Sequence, residues 1–309
     1  MSARQQFPDV HWIWKGGISF VYEREQFQKE VQIYKTFSRH PPCPSIVQCF
    51  LYTENGIFLE YMRDVTLYSR IANNHIRDQE THLVTRVEKL EPLPLRKQWM
   101  NDLAQAVAFL ESLNLAHGDL RPENILLNQN QLKLSDFDST AEIGSGFEAC
   151  MAPYGRLLNG TEHDQEQDQG RRGSSGFLGS RTEQFALGSL YYLINYGFEH
   201  GPKTVDLLQN MEFPKLDGDP VIDEIISKCW HNKYATIREL AAHTHTLLPG
   251  SVNQTDTREA EEAHSESPDG YSGGIGQHGS VEGFSQKRRF CENLDERGLL
   301  YLLSSGDPE

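Results

Sequence analysis

The chain has no stretch close to the roughly 20 apolar residues that a membrane-spanning helix needs. Its most apolar run, Phe185 to Ile194, is too short and carries Gly188 and Ser189. The opening residues, Met1-Ser2-Ala3-Arg4-Gln5-Gln6-Phe7-Pro8, lack the basic-then-apolar order of a secretory signal. Cysteine is sparse: Cys43, Cys49, Cys150, Cys229 and Cys291 are scattered, odd in number and form no CxxC pair. That pattern excludes a zinc ribbon or disulfide frame and predicts reduced thiols in an intracellular protein, cytoplasmic or nuclear. Basic residues are outnumbered, with 29 Lys plus Arg against 44 Asp plus Glu and a formal net charge of −15. An average charge of that sign repels nucleic acid and anionic membranes alike, so neither is expected as a partner beyond a local basic groove. The 12 histidines show no metal-ligand spacing, and there is no internal repeat.

What is present is enough apolar material for one large core or two smaller ones: 38% of 309 residues, with 10% aromatic. Trp12, Trp14 and Gly16-Gly17-Ile18-Ser19-Phe20-Val21-Tyr22 predict a strand, a glycine turn and a second strand. From Glu25 to Phe37 the period becomes helical, through Phe27, Val31, Tyr34 and Phe37. Ile46–Tyr52 and Ile57–Tyr61 are short apolar strands around an Asn55-Gly56 turn. Residues 74–92 are polar and predict a surface insertion. Leu95, Trp99, Leu103, Ala106, Leu110 and Leu113 then step by three and four along one face of a long helix. Ile125-Leu126-Leu127 and Leu132-Lys133-Leu134 flank Asn128-Gln129-Asn130-Gln131, a second hairpin pattern. Residues 159–176 predict a mobile loop, and helical spacing returns in 184–196, 204–210, 222–230 and 237–247. Residues 249–286, almost without aliphatics, predict disorder. Phe290, Leu294 and the leucines at 299–303 predict a short terminal helix broken near Gly298.

The sharpest chemical feature is His117-Gly118-Asp119-Leu120-Arg121-Pro122-Glu123-Asn124, followed by the hairpin and then Asp136-Phe137-Asp138. Moving a phosphoryl group from a nucleotide needs a base near the acceptor hydroxyl and oxygen ligands for magnesium. Magnesium keeps waters and phosphates, so one carboxylate and one amide are sufficient protein donors. Asp119 fits the base, and Asn124 and Asp136 fit the metal donors.

On these residues the chain resembles a protein kinase, of a divergent group seen in fungi. His117-Gly118-Asp119 stands where that family has His-Arg-Asp, and Asp136-Phe137-Asp138 where it has Asp-Phe-Gly. The similarity runs from about Val10 to about Leu248. It implies an α+β, two-lobed fold: an incomplete β-rich small lobe over 9–62 and a mainly helical large lobe over 63–248. A disordered linker over 249–286 and a terminal segment over 287–309 follow. The cofactors implied are ATP and Mg2+. Lys29-Glu30-Val31-Gln32-Ile33-Tyr34 resembles the regulatory helix, making Glu30 its ion-pairing acid, although a solvated face is an equal reading of that charged helix. Phe58-Leu59-Glu60-Tyr61-Met62 resembles the hinge, so Glu60 and Met62 would present backbone groups to adenine. Gly16 and Gly17 would cover phosphates, against the plainer reading of an ordinary turn. Glu183-Gln184-Phe185-Ala186-Leu187-Gly188 resembles the start of the central large-lobe helix, with Glu183 for the usual Asp, and Cys229-Trp230 matches a late signature.

The departures are as informative. Only Glu23 to Lys29 separates Tyr22 from Glu30, with no room for the third strand whose Lys grips the phosphates. Either that strand and its Lys are missing, or Trp12–Lys15 is the strand, Lys15 is the phosphate Lys and the glycine loop is missing. Gly118 replaces the Arg that holds a loop phosphate, so activation by loop phosphorylation is not expected. Asp138 replaces a Gly and offers a second carboxylate near magnesium. Arg121 stands where Ser/Thr kinases carry Lys and would position the acceptor and the γ-phosphate. Ala152-Pro153-Tyr154 is a distant echo of Ala-Pro-Glu. Three functions remain in play: an ATP- and Mg2+-dependent protein kinase-like phosphotransferase, Ser/Thr ahead of Tyr; a pseudokinase scaffold; and a small-molecule kinase of the aminoglycoside or choline type. The resemblance leaves the protein substrate and the oligomeric state open.

Overall fold

The structure is a computed structural model that describes residues 22–52, 57–81, 83–146, 152–158, 173–199, 202–249 and 281–297. Lys15, Gly16, Gly17, the Asn55-Gly56 turn, residues 159–172 and most of 249–286 therefore lie outside the described residues. In chain order the elements open with α1 (Tyr22–Phe37), the strand pair β1 (Cys49–Tyr52) and β2 (Ile57–Leu59), α2 (Leu67–Ala72), β3 (His75–Arg77) and β4 (Val84–Val87). Then come α3 (Leu93–Ser112), β5 (Leu115–Ala116), a single 3-10 turn (Pro122–Asn124), β6 (Ile125–Asn128), β7 (Gln131–Leu134) and β8 (Ala141–Glu142). The chain continues with α4 (Ser180–Tyr196), α5 (Pro202–Gln209), α6 (Pro220–Trp230), α7 (Ile237–His245) and α8 (Val281–Glu296). This is an α+β arrangement with a mainly helical larger part. Among the described residues no helix is long and apolar enough to cross a membrane.

Of the described residues, 48–61 and 281–297 form one compact unit, and 22–47 with 62–249 form another. In the smaller unit β1 and β2 pair antiparallel, Leu51 opposite Phe58 and Tyr52 opposite Ile57, with a bulge between Cys49 and Leu51. Glu60 N–H donates to the Gln48 carbonyl at 2.7 Å and extends the pairing past the strand ends. Helix α8 lies against β1, and the Lys287 ammonium sits 5.2 Å from the centre of the Phe50 ring. The helix begins at Val281, inside the segment expected to be linker.

The larger unit is built around α3 and α4. The predicted stripe on α3 is its buried face: Trp99, Leu103, Ala106 and Leu110 are fully enclosed. Helix α4 is buried from Thr182 to Asn195 on every side, with Glu183, Gln184, Ser189 and Asn195 enclosed among its apolar residues. It crosses α6 so closely that a Cβ on Gly188 would stand 2.8 Å from Trp230 Cδ1. Helix starts follow local chemistry. Asp219 accepts from the Val221 and Ile222 N–H groups with Pro220 in the first turn; Thr236 Oγ1 accepts from the Glu239 N–H, while Glu239 Oε2 accepts from the Ala235 N–H just before the cap. The insertion over 74–92 is not featureless: β3 and β4 form a hairpin, and His75 Nε2 donates to the Gly197 carbonyl at 2.6 Å.

Of the described residues in the span 9–62, residues 22–47 group with the larger unit and 48–61 with the smaller. Helix α1 belongs with the larger unit, because Tyr34 and Phe37 pack on Phe137 and Phe37 also packs on Phe109. The helix starts at Tyr22, three residues before its predicted beginning, so no strand lies between Tyr22 and Glu30.

Candidate active site

Two short structures bring the expected residues together. Helix α3 ends at Ser112, Asn114 takes a left-handed φ of 59°, and β5 pairs with β8. The chain then turns through 117–121 into the 3-10 turn and the β6–β7 hairpin. That hairpin pairs Ile125 with Leu134 and Asn128 with Gln131, and so returns residues 135–138 to the side of residues 117–124.

His117 is fully buried. Its Nε2–H donates to the Ser135 carbonyl at 3.0 Å, and its Nδ1 accepts from the Asp119 N–H at 3.3 Å. Burial pushes its pKa down to about 4, so the ring is neutral and serves as a spacer. Beneath it Glu183, on the first turn of α4, accepts from the His117 N–H at 2.9 Å and the Gly118 N–H at 3.3 Å. Burial pushes the Glu183 pKa up to about 7 against the pull of those two donors. Gly118 has φ +79°, and a Cβ there would stand 2.8 Å from the Ser139 carbonyl oxygen. The glycine is thus required by the backbone, and the family's Arg does not fit this conformation.

Asp119 is half-buried. The Asn124 amide Nδ2 donates to its carbonyl at 2.9 Å and to its Oδ2 at 2.8 Å. Both bonds are made from Nδ2, so Oδ1 is the atom of Asn124 that would serve a cation. Arg121 Nε lies 3.1 Å from Asp119 Oδ2, but its N–H is not aimed at that oxygen, so the pair is held by charge rather than by a directed bond.

Asp136 adopts a left-handed φ of 63°, unusual for a residue with a side chain. Burial first, then Asp138 and Asp119, raise its pKa to about 6, with Arg121 opposing. Glu30 faces the same place. Burial, then Asp136, raises its pKa to about 7, with Asp138 adding a smaller push, while the nearby Phe137 backbone amide pulls the other way. The ion pair expected of Glu30 is therefore not found among the described residues, and neither is a solvated face: its charged neighbours are carboxylates. Lys15 lies outside the described residues. Phe137 turns inward, its ring 5.4 Å from His117, 5.6 Å from Tyr34 and 5.1 Å from Phe37, and ties α1 to the loop.

The structure thus brings together Asp119, Arg121, Asn124, Asp136 and Glu30. Met62 is buried in the same unit, Glu60 belongs to the other unit, and Gly16 and Gly17 lie outside the described residues. Sequence reasoning missed the ring contacts of Phe137 and the whole contribution of Ser135. The three-residue spacing of Tyr34 and Phe37 was the only available signal for the first. Among the described residues no group of three His, Cys, Asp or Glu is arranged for a metal ion. A divalent cation here would rest on two protein oxygens, Asn124 Oδ1 and the Asp136 carboxylate, with the rest of its shell from outside the chain. Hard oxygen donors amid surplus negative charge fit magnesium.

A family model for the protein kinase domain matches residues 18–155. The human phosphorylase b kinase gamma catalytic chain, liver/testis isoform, is 30% identical over 134 residues, 42% of this chain and 30% of that protein. CBL-interacting protein kinase 10 of Oryza sativa subsp. japonica is 25% identical over 181 residues, 56% of this chain and 34% of that protein. MAP kinase-activated protein kinase 2 of Cricetulus longicaudatus is 24% identical over 264 residues, 78% of this chain and 75% of that protein. The chain therefore spans 30% of the length of the phosphorylase kinase relative and three quarters of the last.

Proposed function

We propose that this chain, whose residues 18–155 match the protein kinase domain, acts as a protein kinase-like phosphotransferase that moves the γ-phosphoryl group of ATP, with Mg2+, onto a protein hydroxyl, Ser or Thr ahead of Tyr. The observation that carries the reading is the double donation of Asn124 to Asp119, with Asp136 brought alongside by the β6–β7 hairpin. Asp119 orients the acceptor hydroxyl and takes its proton at a carboxylate oxygen. Asn124 holds that carboxylate in place with its nitrogen, and its oxygen would be one ligand to the metal. Asp136 supplies the second metal oxygen, and Arg121 leaves Asp119 to balance charge on the transferred group. Bound Mg2+ neutralises the nucleotide phosphates; the remaining contribution of the chain is position and charge.

The test is incorporation of γ-phosphate into a generic protein substrate. Asp119→Asn is expected to lose about 10²–10⁴-fold in rate. Equal incorporation by the two proteins would remove the enzyme.

A second reading, a pseudokinase scaffold, is favoured by Glu30, whose described neighbours are carboxylates, and by a helix that starts at Tyr22 where a strand would be needed. A melting temperature unmoved by ATP with Mg2+ would support the scaffold, and a clear rise supports the enzyme.

A further inference from the structure

Ser135 lies between the two halves of the site and carries none of the roles assigned above. It is 8% exposed. Its N–H donates to the Asn124 carbonyl at 2.9 Å, and its hydroxyl donates to the same carbonyl at 2.8 Å. Its own carbonyl accepts from His117 Nε2 at 3.0 Å. One residue thus occupies the Asn124 carbonyl twice, grips the buried histidine, and is bonded directly to Asp136.

The two donations do different things. The backbone bond continues the β6–β7 ladder just past the Ile125–Leu134 pair, so the register and the satisfaction of the Asn124 carbonyl are already secured by it. The hydroxyl bond is surplus to the fold. What it adds is stiffness, because a carbonyl held by two donors of one residue cannot rotate about either. That stiffness falls where it is needed: Asp136, the next residue, sits at φ 63° and requires fixed neighbours to stay there.

We propose that the Ser135 hydroxyl is a positioning group for the divalent cation: it sets the separation of Asn124 Oδ1 and the Asp136 carboxylate and so tunes the Mg2+ dependence of nucleotide binding. The inference rests on the reading of Asn124 and Asp136 as the metal-holding pair. It assigns a role to a side chain that touches neither metal nor substrate.

The experiment follows the ATP-induced rise in melting temperature of the full chain across a Mg2+ titration, for wild type, Ser135→Ala, Ser135→Thr and Ser135→Val. The Ala variant is expected to need about three- to tenfold more Mg2+ for a half-maximal rise, the effect of one buried hydrogen bond on an affinity. Its melting temperature without ligands stays near that of wild type, since no carbonyl is left unpaired. Thr keeps the hydroxyl and restores the wild-type titration; Val has the same shape without the donor and behaves as Ala does. That isosteric pair decides the matter even where Ala fails to fold. An Ala or Val titration equal to wild type, or Thr and Val displaced alike, overturns the proposal. A wild-type protein whose melting ignores Mg2+ overturns the metal-holding reading itself, and this inference with it.

Discussion

Replacing Glu30 with Gln is expected to stabilise the protein at high pH and to leave it unchanged at low pH. Glu30 is half-buried, and its described electrostatic neighbours, Asp136 and Asp138, are both acids. Its pKa is raised from 4.5 to about 7. A carboxyl whose pKa is higher folded than unfolded takes up a proton on folding, so its ionisation costs stability. The cost is absent below pH 4.5, grows as the pH rises through the interval, and is complete above about 7. Each pKa unit corresponds to about 1.4 kcal/mol, which sets a ceiling of about 3.4 kcal/mol. Screening at a half-open site leaves about 1–2 kcal/mol. Gln has nearly the same shape as Glu without the charge, so the comparison isolates the charge. The assay is thermal melting in a metal chelator at about pH 8 and about pH 4, where about 1–2 kcal/mol reads as roughly 2–8 °C. Glu183 titrates over the same window in both proteins and cancels in the difference. A variant that melts lower than wild type at pH 8 would refute the reasoning, because it would mean that Glu30 has a cationic partner, as the Lys15 alternative requires.

Two further substitutions test the close approaches in the larger unit. Gly118→Ala places a Cβ 2.8 Å from the Ser139 carbonyl oxygen in a left-handed conformation, and is expected to cost at least about 2 kcal/mol in urea unfolding. Gly118→Arg, which restores the family residue, fares no better; an unchanged urea midpoint for either would show that the loop relaxes freely. Gly188→Ala drives a methyl into Trp230 and is expected to lose about 1–3 kcal/mol, read as a lower unfolding midpoint together with altered tryptophan fluorescence. No change in either signal would mean that α4 and α6 separate without cost.

Much of this arrangement is legible in the chain itself, where one local pattern dominates. The steps from Leu95 to Leu110 locate the buried face of α3, and the apolar triplets around Asn128-Gln129-Asn130-Gln131 locate the hairpin with its register. The spacing of Asp119, Asn124 and Asp136 identifies three of the converging groups, because a loop and a tight hairpin are the only connections between them. The β3–β4 hairpin is illegible, since its residues are polar and its anchor, the Gly197 carbonyl, lies far along the chain. The start of α1 at Tyr22 is missed because Tyr, Glu and Arg carry no start signal of their own. Ser135 is invisible for another reason: a serine next to an aspartate has no pattern, and its importance arises only when the hairpin folds back on Asn124. The surroundings of Glu30 are set by a residue more than a hundred positions away, which no helical periodicity encodes.

The cover over β1 has a consequence for how the ribbon forms. A two-strand ribbon as short as Cys49–Leu59 is marginal in water without something laid across it. Among the described residues that something is α8, which comes far later in the chain. The ribbon and α8 therefore settle together, through a contact of long sequence separation that is slow to close.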